Sequence, residues 1–226
     1  MNDRVAVVAG AGGEVGRAVA VALHASGHKV VGVDRSAAGL DELPDGVARE
    51  VADPTQQAGA KSVIDRIADS VGAPEVLVNV IGTFAMGDAL QTTPDQLQLM
   101  VDVNLGAALW LSQSVAPYMQ ERGSGTIVHV TARPGLDPTA GMAAYSASKA
   151  ALAQLVRLLD VELRPSGIRV NAVAPALIDT VRNRGFVPDD VMAHAVSPKA
   201  IADVIAFLAS DSAAPVSGAI LPAYGN

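Results

Sequence analysis

Two side chains in the run YSASK, at residues 145–149, have the types and the spacing that proton transfer requires. Tyr145 precedes Lys149 by four positions, so in a helix both lie on one face, one turn apart. A nearby ammonium favours the phenolate, and we therefore expect Lys149 to lower the pKa of Tyr145 from its ordinary value of about 10. Such a pair is a candidate general acid or base at neutral pH. Because any surface helix can carry the same spacing, the pair needs support from the rest of the chain.

Strands and helices alternate along the whole chain, and they must position this pair. Apolar, strand-like runs occupy residues 5–9, 29–33, 75–81, 126–131, 168–173 and 218–221. Helical patterns lie between them, at about residues 15–25, 56–71, 94–120 with a break near Gly106, 142–163 and 198–209. Strands separated by helices of this length predict βαβ units and a parallel sheet, doubly wound within one α/β domain.

The composition agrees with this fold and excludes several functions. Of the 226 residues, 50% are hydrophobic and only 3% aromatic, as suits a parallel sheet covered on both faces by closely packed helices. The chain has no cysteine, which excludes disulfides and thiolate sites. The net charge of −7, without a basic cluster, argues against nucleic acid as a partner.

No localisation signal is evident in the sequence. The chain enters an apolar strand at residue 5 without the longer apolar segment of a signal peptide. It also lacks an uninterrupted apolar run of about 18 residues, so we expect no membrane span. The expected location is cytoplasmic.

A glycine-rich turn, GAGGEVG at residues 10–16, follows the first strand and opens the first helix. Three of its four glycines, Gly10, Gly13 and Gly16, follow one another at intervals of three residues. Glycine allows close backbone approach, and a helix N-terminus offers free N–H groups to a pyrophosphate, so this position favours dinucleotide binding. An ordinary tight turn is the alternative.

Asp34, at the end of the second strand, strengthens the dinucleotide interpretation. A carboxylate in this position accepts hydrogen bonds from the adenine-ribose hydroxyls and repels a 2′-phosphate. The neighbouring Arg35 acts the other way, because a guanidinium pairs well with that phosphate. With no Lys or Arg inside the glycine turn, the sequence favours NAD over NADP.

In order and spacing, the motifs of nearly the whole chain resemble those of the short-chain dehydrogenase/reductase family. The matching phrases are residues 9–16, Asp53, 79–82, 103–105, 145–149 and 171–180. The resemblance implies a Rossmann-type doubly wound parallel sheet of about seven strands with helices on both faces. It also implies one dinucleotide-binding domain over residues 1–226, with a short substrate lid at about 181–197.

The resemblance assigns a catalytic role to Tyr145, Lys149 and Asn104. Tyr145 would exchange a proton with the substrate oxygen, Lys149 would hold the nicotinamide ribose, and Asn104 would hold a proton-relaying water. For Asn104, a polar residue that distorts its helix is the alternative. The expected cofactor contacts, taken together, are Gly10, Gly13, Glu14, Val15, Gly16, Asp34, Arg35, Asp53, Asn79, Gly82, Tyr145, Lys149, Pro175, Ile178 and Thr180.

Four positions depart from the family pattern. Ala9 replaces a threonine, and Glu14 and Ala176 each replace a glycine. The most serious departure is Ala132, which stands where the family has its active-site serine, 13 residues before Tyr145. Losing one hydrogen-bond donor to the substrate oxygen costs on the order of 10²–10³ in rate. Thr131 substitutes for the serine only if a local bulge or a different alignment of the strand end turns its hydroxyl into the site.

Residues near the expected lid bear on the substrate. Arg182 and Arg184 either attract an acidic substrate or are simply solvated. An apolar pocket or ordinary core packing accounts for Phe84, Met86, Met142 and Phe186. The four histidines have no ligand spacing, His129 is expected to be structural, and no metal is expected.

Two functions remain in view. The first is an NAD(P)-dependent oxidoreductase that transfers hydride between nicotinamide and a carbonyl or secondary alcohol in a small-molecule substrate. The second, motivated by Ala132, is a dinucleotide-binding protein with weak or no redox turnover, acting as a sensor, scaffold or inactive subunit. The helices at 97–119 and 142–163 are apolar around their circumference. Because the family pairs these helices across a two-fold axis, a homo-oligomer, dimer or tetramer, is expected.

Overall fold

In the computed structural model, which describes residues 4–225, seven strands form one sheet in the order β3-β2-β1-β4-β5-β6-β7, with every neighbouring pair parallel. The doubly wound parallel sheet predicted from the sequence is confirmed. The strands are β1 Val5–Ala9, β2 Lys29–Asp34, β3 Ala48–Val51, β4 Pro74–Asn79, β5 Gly125–Val130, β6 Ile168–Pro175 and β7 Ile220–Ala223.

Helices cover both faces of the sheet, because successive strand residues point to opposite sides. On one face, α3, α5 and α6 pack against residues such as Val7 and Leu77. On the other, α1 and α9 pack against residues such as Val8 and Val76. The helices are α1 Glu14–Ala25, α2 Ala37–Leu40, α3 Gln57–Ser70, α4 Pro94–Val101, α5 Ala107–Arg122, α6 Ala143–Leu163, α7 Val181–Arg184, α8 Asp189–Met192 and α9 Pro198–Ala209.

The strand order reverses between β1 and β4, and this reversal opens a crevice for the site. From β1 the chain moves outward through β2 and β3, then returns to place β4 on the other side of β1. Connections that leave neighbouring strands in opposite directions separate at the carboxyl ends, where open parallel sheets bind their ligands. The turns after β1 and β4 therefore border a groove.

Two strands differ from their predicted form. The edge strand β3 was missed because three of its four residues are exposed and its Arg49 and Glu50 give it no apolar pattern. The strand predicted at 75–81 ends at Asn79, whose side-chain Oδ1 accepts a hydrogen bond from the Ile81 N–H at 3.0 Å. That bond turns the chain out of the sheet, so Val80 and Ile81 belong to the loop above the strand end.

The region from Pro94 to Arg122 is long and apolar enough to cross a membrane, judged by length and composition alone. In the structure its Leu111, Val115 and Met119 are fully buried in the core on one face of the sheet. This burial is typical of a helix that belongs to the core of a folded domain. The break predicted near Gly106 is a π-helical turn at Asp102–Gly106 between α4 and α5.

The far end of α6 is fastened to the loop before β7. Asp160 is buried at 2% exposure, and its carboxylate accepts hydrogen bonds from the Ser217 hydroxyl and the Arg164 guanidinium. A buried charge needs partners of this kind to offset its lost hydration. The carboxylate therefore ties the last turns of α6 to the segment that leads into the final strand.

Close packing of the glycine turn generates a stability prediction. A Cβ on Gly16 would overlap the Gly10 carbonyl oxygen and lie 2.7 Å from the Ala11 Cα, whereas a Cβ on Gly13 meets no atom closer than 3.6 Å. We expect Gly16→Ala to lower the free energy of unfolding by roughly 1–3 kcal/mol, since the backbone has to move to accommodate the methyl group. Gly13→Ala is the matched control, with an expected loss below about 1 kcal/mol. Urea unfolding measures both, and equal losses for the two variants would contradict the proposed overlap.

Candidate active site

Two adjoining cavities, of about 380 and 200 Å³, form one groove across the carboxyl ends of the strands. The first lies over the glycine turn and the end of β2, and the second lies over the start of α6 and the end of β5. Val80, Gly82, Thr83 and Arg182 line both cavities, so the two are continuous.

The glycine turn presents only part of its predicted residues to the first cavity. Gly10 and Gly13 line it, and Gly13 is the N-cap of α1, so the start of that helix faces the groove. Gly16 is buried against the turn, and Val15 packs into the core beneath α1. Val15 and Gly16 thus shape the turn and do not line the cavity.

The Glu14 side chain points from the glycine turn toward the start of α7. Its Oε1 accepts a hydrogen bond from the Val181 N–H at 2.9 Å. The carboxylate therefore links the start of α1 to the start of α7, in the 181–197 segment. Among the described residues, Glu14 lines neither cavity, and its expected contact with the cofactor stays a prediction.

The Asp34 carboxylate, at the end of β2, lines the first cavity and also accepts hydrogen bonds from two backbone N–H groups beside it. Oδ2 accepts from the Gly12 N–H at 3.0 Å, and Oδ1 accepts from the Ser36 N–H at 2.9 Å. Each carboxylate oxygen has a second lone pair, so the group retains capacity for ligand hydroxyls. Arg35 is exposed and lines the same cavity.

Asp53 lies at the outer end of the first cavity and closes a local turn. Its Oδ1 accepts from the Thr55 N–H at 3.0 Å and from the Thr55 hydroxyl at 2.7 Å. The side chain is thereby fixed while the residue stays exposed to the groove.

Asn79 is buried at the end of β4 and supports the loop that borders the groove. It is 1% exposed and lines neither cavity, whereas Gly82 lines both. Its Oδ1 bonds the Ile81 N–H, and its amide nitrogen lies 3.4 Å from His129 Nδ1. The predicted pair is thus divided, with Gly82 at the surface of the groove and Asn79 supporting the loop beneath it.

Lys149 is buried on α6 and faces the second cavity. Its ammonium donates a hydrogen bond to the Val130 carbonyl oxygen at 2.8 Å, at the end of β5. A Cβ on Gly82 would lie only 3.2 Å from the Lys149 Nζ and 3.3 Å from the Asn104 Oδ1. Glycine at position 82 therefore keeps both groups open toward the groove.

Burial dominates the titration of the Tyr145–Lys149 pair. It raises the pKa of Tyr145 to about 12 and lowers the pKa of Lys149 to about 8, because a low-dielectric surrounding disfavours each charged form. The net shift of the Tyr145 pKa is therefore upward, opposite to the shift expected from Lys149 alone. Tyr145 is a neutral phenol at physiological pH.

Asn104 lies within the π-helical turn, fully buried beside the pair. Its Oδ1 accepts from the Thr83 N–H at 2.8 Å, and its amide nitrogen donates to the Thr83 carbonyl and the Ser148 hydroxyl, both at 3.0 Å. The side chain joins three segments: the loop after β4, the π-helical turn and α6. Sequence reasoning missed Thr83 because its contribution is made by backbone atoms, which carry no residue signature.

Ala132 occupies the position where the sequence resemblance led us to expect a serine. Ala132 lines the second cavity, and the Thr131 hydroxyl donates to the Lys149 carbonyl oxygen at 2.8 Å. Thr131 also lines this cavity, with its hydroxyl proton donated to the backbone of α6. His129, fully buried, lies 3.1 Å from the Ser112 hydroxyl, and burial lowers its pKa to about 3, which fits the expected structural role.

Aromatic rings form one wall of the second cavity. Phe84 packs edge-on against Tyr145 with ring centroids 5.0 Å apart, and it stacks with Phe186 at 6.4 Å. Both phenylalanines line the cavity, as predicted for an apolar pocket, whereas Met86 and Met142 do not.

The segment after β6 roofs the second cavity. Pro175 and Ile178 line it, but the Thr180 side chain accepts from the Asn183 N–H and caps α7 without reaching the cavity. Asn183, which sequence reasoning missed, lines the cavity and donates to the Ile178 carbonyl at 2.8 Å. Thr180 thus sets the conformation of the roof.

Comparisons with known proteins agree with this geometry. The family model described as short chain dehydrogenase matches residues 4–190. Meso-2,3-butanediol dehydrogenase of Serratia marcescens is 29% identical, and the match covers 100% of this chain and 94% of the relative. An uncharacterized oxidoreductase of Staphylococcus aureus is 27% identical, with 92% and 91% covered.

A solved structure gives the same picture. The ligand-free aldohexose dehydrogenase of Thermoplasma acidophilum superposes with a TM-score of 0.89 at 27% identity, covering 99% of this chain and 93% of that chain. The family model spans well over half of the residues, from the first strand to α8. With its glycine turn, buried lysine and parallel sheet, the chain belongs to the short-chain dehydrogenase family of oxidoreductases.

Proposed function

We propose that the protein is an NAD(P)-dependent oxidoreductase that interconverts a carbonyl and a secondary alcohol. The observation that carries the proposal is the continuous groove, with the glycine turn and Asp34 at one end and Tyr145 with Lys149 at the other. The second cavity, about 200 Å³ with a phenylalanine wall, suits a small substrate with an apolar portion.

The first cavity fits the nucleotide half of such a cofactor. Gly13 leaves the start of α1 uncovered, and Asp34 has lone pairs free for ribose hydroxyls. A carboxylate there repels a 2′-phosphate, so we favour NAD, although the exposed Arg35 beside it supplies a cation. The nicotinamide, when bound, supplies or accepts the hydride.

Tyr145 is suited to the acid role in carbonyl reduction. Its pKa of about 12 keeps the phenol protonated at neutral pH, and its ring is held by Phe84 at the wall of the cavity. In that direction the hydroxyl gives its proton to the substrate oxygen. Lys149 presents a cation to the same cavity, and Asn104 holds the backbone of the neighbouring Thr83.

A second function is favoured by one observation. Ala132 lines the cavity without a hydroxyl, and the hydroxyl proton of the neighbouring Thr131 is donated to the Lys149 carbonyl, so neither described residue offers a free donor to a substrate oxygen. A dinucleotide-binding protein with weak or no turnover, acting as a sensor, scaffold or inactive subunit, is therefore the alternative.

Association with a second copy is part of the proposal. Apolar side chains remain exposed on the helices expected to pair, with Leu97 and Leu99 on α4 and Leu158 and Val161 on α6. Burying such residues between copies removes apolar surface from water.

Burial of Lys149 predicts a pH-dependent stability difference. Its pKa is about 8 in the folded protein against an ordinary 10.5, so the unfolded chain binds more protons between these pH values. Below pH 8 both states are protonated and the folded protein bears the full cost of the buried charge. As pH rises from 8 to 10.5, the wild type should gain about 3 kcal/mol relative to Lys149→Met, at about 1.4 kcal/mol per unit. Urea unfolding of both proteins across this range measures the difference, and a difference that does not change with pH would contradict the shift.

Tyr145→Phe tests the proton role. Since phenylalanine keeps the ring against Phe84 and removes only the hydroxyl, we expect kcat to fall by roughly 10²–10⁴-fold, with a much smaller change in the NADH dissociation constant. Stopped-flow or steady-state reduction of a panel of small ketones, with NADH titration by fluorescence, gives both values. Full turnover with a genuine substrate in this variant would exclude Tyr145 as the proton donor.

Ala132→Ser separates the two candidate functions. We expect measurable turnover in the wild type and an increase in kcat of up to roughly 10²-fold in the variant, because the new hydroxyl donates to the substrate oxygen. Ala176→Ser places a hydroxyl elsewhere in the same cavity and serves as the matched control, with no expected gain. NAD(H) binding by the wild type, with turnover only after Ala132→Ser, would favour the second function instead.

A further inference from the structure

Arg182 lies at the junction of the two cavities of the groove. Four residues line both cavities, and three of them, Val80, Gly82 and Thr83, belong to the loop after β4. The fourth, Arg182, comes from α7 in the 181–197 segment, far along the chain. Arg182 is therefore the contribution of that segment to the junction between the cavities.

The guanidinium of Arg182 has no partner within the protein, as far as residues 4–225 define its surroundings. No carboxylate of that range forms an ion pair with it, and the residue is exposed. Two positions further on, Arg184 differs, since it donates to both carboxylate oxygens of Asp179 at 2.5 and 2.7 Å. One arginine of α7 fastens its own segment, and the other is left available to the groove.

The dimensions of the proposed ligand indicate what this cation meets. An NAD molecule that extends from Asp34 in the first cavity to Tyr145 in the second has to cross the junction lined by Arg182. The middle of a dinucleotide is its pyrophosphate, which carries two negative charges. Guanidinium groups bind phosphates through paired, charge-assisted hydrogen bonds.

We propose that Arg182 binds the pyrophosphate of the dinucleotide and thereby couples cofactor binding to the position of the 181–197 segment. This inference rests on the proposed dinucleotide function. It makes Arg182 a cofactor-binding residue, with a role separate from the proton transfer proposed for Tyr145.

The placement of Glu14 explains why a cation is needed there. Its carboxylate stands in the first turn of α1 and bonds the Val181 N–H, next to Arg182 in the chain. A negative charge beside the start of α1 disfavours binding of an anionic group such as a pyrophosphate there. Arg182 follows Val181 directly and carries the opposite charge, while Glu14 also interacts favourably with Arg184.

The test is a binding measurement that does not depend on catalysis. Calorimetric titration with ADP-ribose, which contains the pyrophosphate but no nicotinamide, is compared with titration by adenosine, which contains no phosphate. We expect Arg182→Gln to weaken ADP-ribose binding by roughly 10–100-fold and to leave adenosine binding unchanged. Arg182→Lys should recover part of the loss, since a lysine retains the charge without the paired geometry.

Arg184→Gln is the matched control, because it removes an equal charge from the same helix. We expect its ADP-ribose affinity to stay within about twofold of the wild type. Wild-type affinity in Arg182→Gln, or an equal loss in both variants, would overturn the role of Arg182 while leaving the dinucleotide function intact. So would an unchanged ADP-ribose affinity with a higher KM only for anionic substrates. A wild-type protein that binds neither ADP-ribose nor NAD(H) would instead refute the dinucleotide function itself, and this inference with it.

Discussion

The ammonium of Lys149 is buried at the carboxyl end of β5, and the geometry of the site depends on it. A buried cation must have a hydrogen-bond partner, and here the partner is the carbonyl oxygen of Val130. That bond holds the first turns of α6 against the strand end, so that Tyr145, one turn earlier, stands at the wall of the cavity. The absent side chain at Gly82 leaves the same ammonium open to a ligand.

Burial of this pair changes the pKa values of both Tyr145 and Lys149. The environment that excludes water raises the pKa of Tyr145 to about 12 and lowers that of Lys149 to about 8. These directions suit a phenol that donates a proton, but a phenol that accepts one needs additional stabilisation of its anion. Because Ala132 offers no hydroxyl and Thr131 is bonded to the helix backbone, the described residues of this strand end do not supply it.

Most of the fold and the outline of the groove were predictable from sequence. Long apolar strands in alternation with helices reveal a parallel sheet, whereas β3 escaped detection because its exposed residues have no apolar pattern. Motif order identified which residues gather at the strand ends, but it carries no information on where each side chain points. Glu14, Asn79 and Thr180 were accordingly expected to contact the cofactor, and in the structure the side chain of each accepts a hydrogen bond from a backbone N–H beside the groove.

The buried Asp160 near the end of α6 has a mechanical consequence. With its carboxylate bonded to Ser217 at one end and Lys149 bonded to Val130 near the other, the helix is restrained against sliding along its own axis. Tyr145 and Lys149, which lie on α6, are therefore held in a fixed position relative to the sheet. The other wall of the second cavity, with Asn183 and Phe186, belongs to the 181–197 segment and is not held by these two bonds.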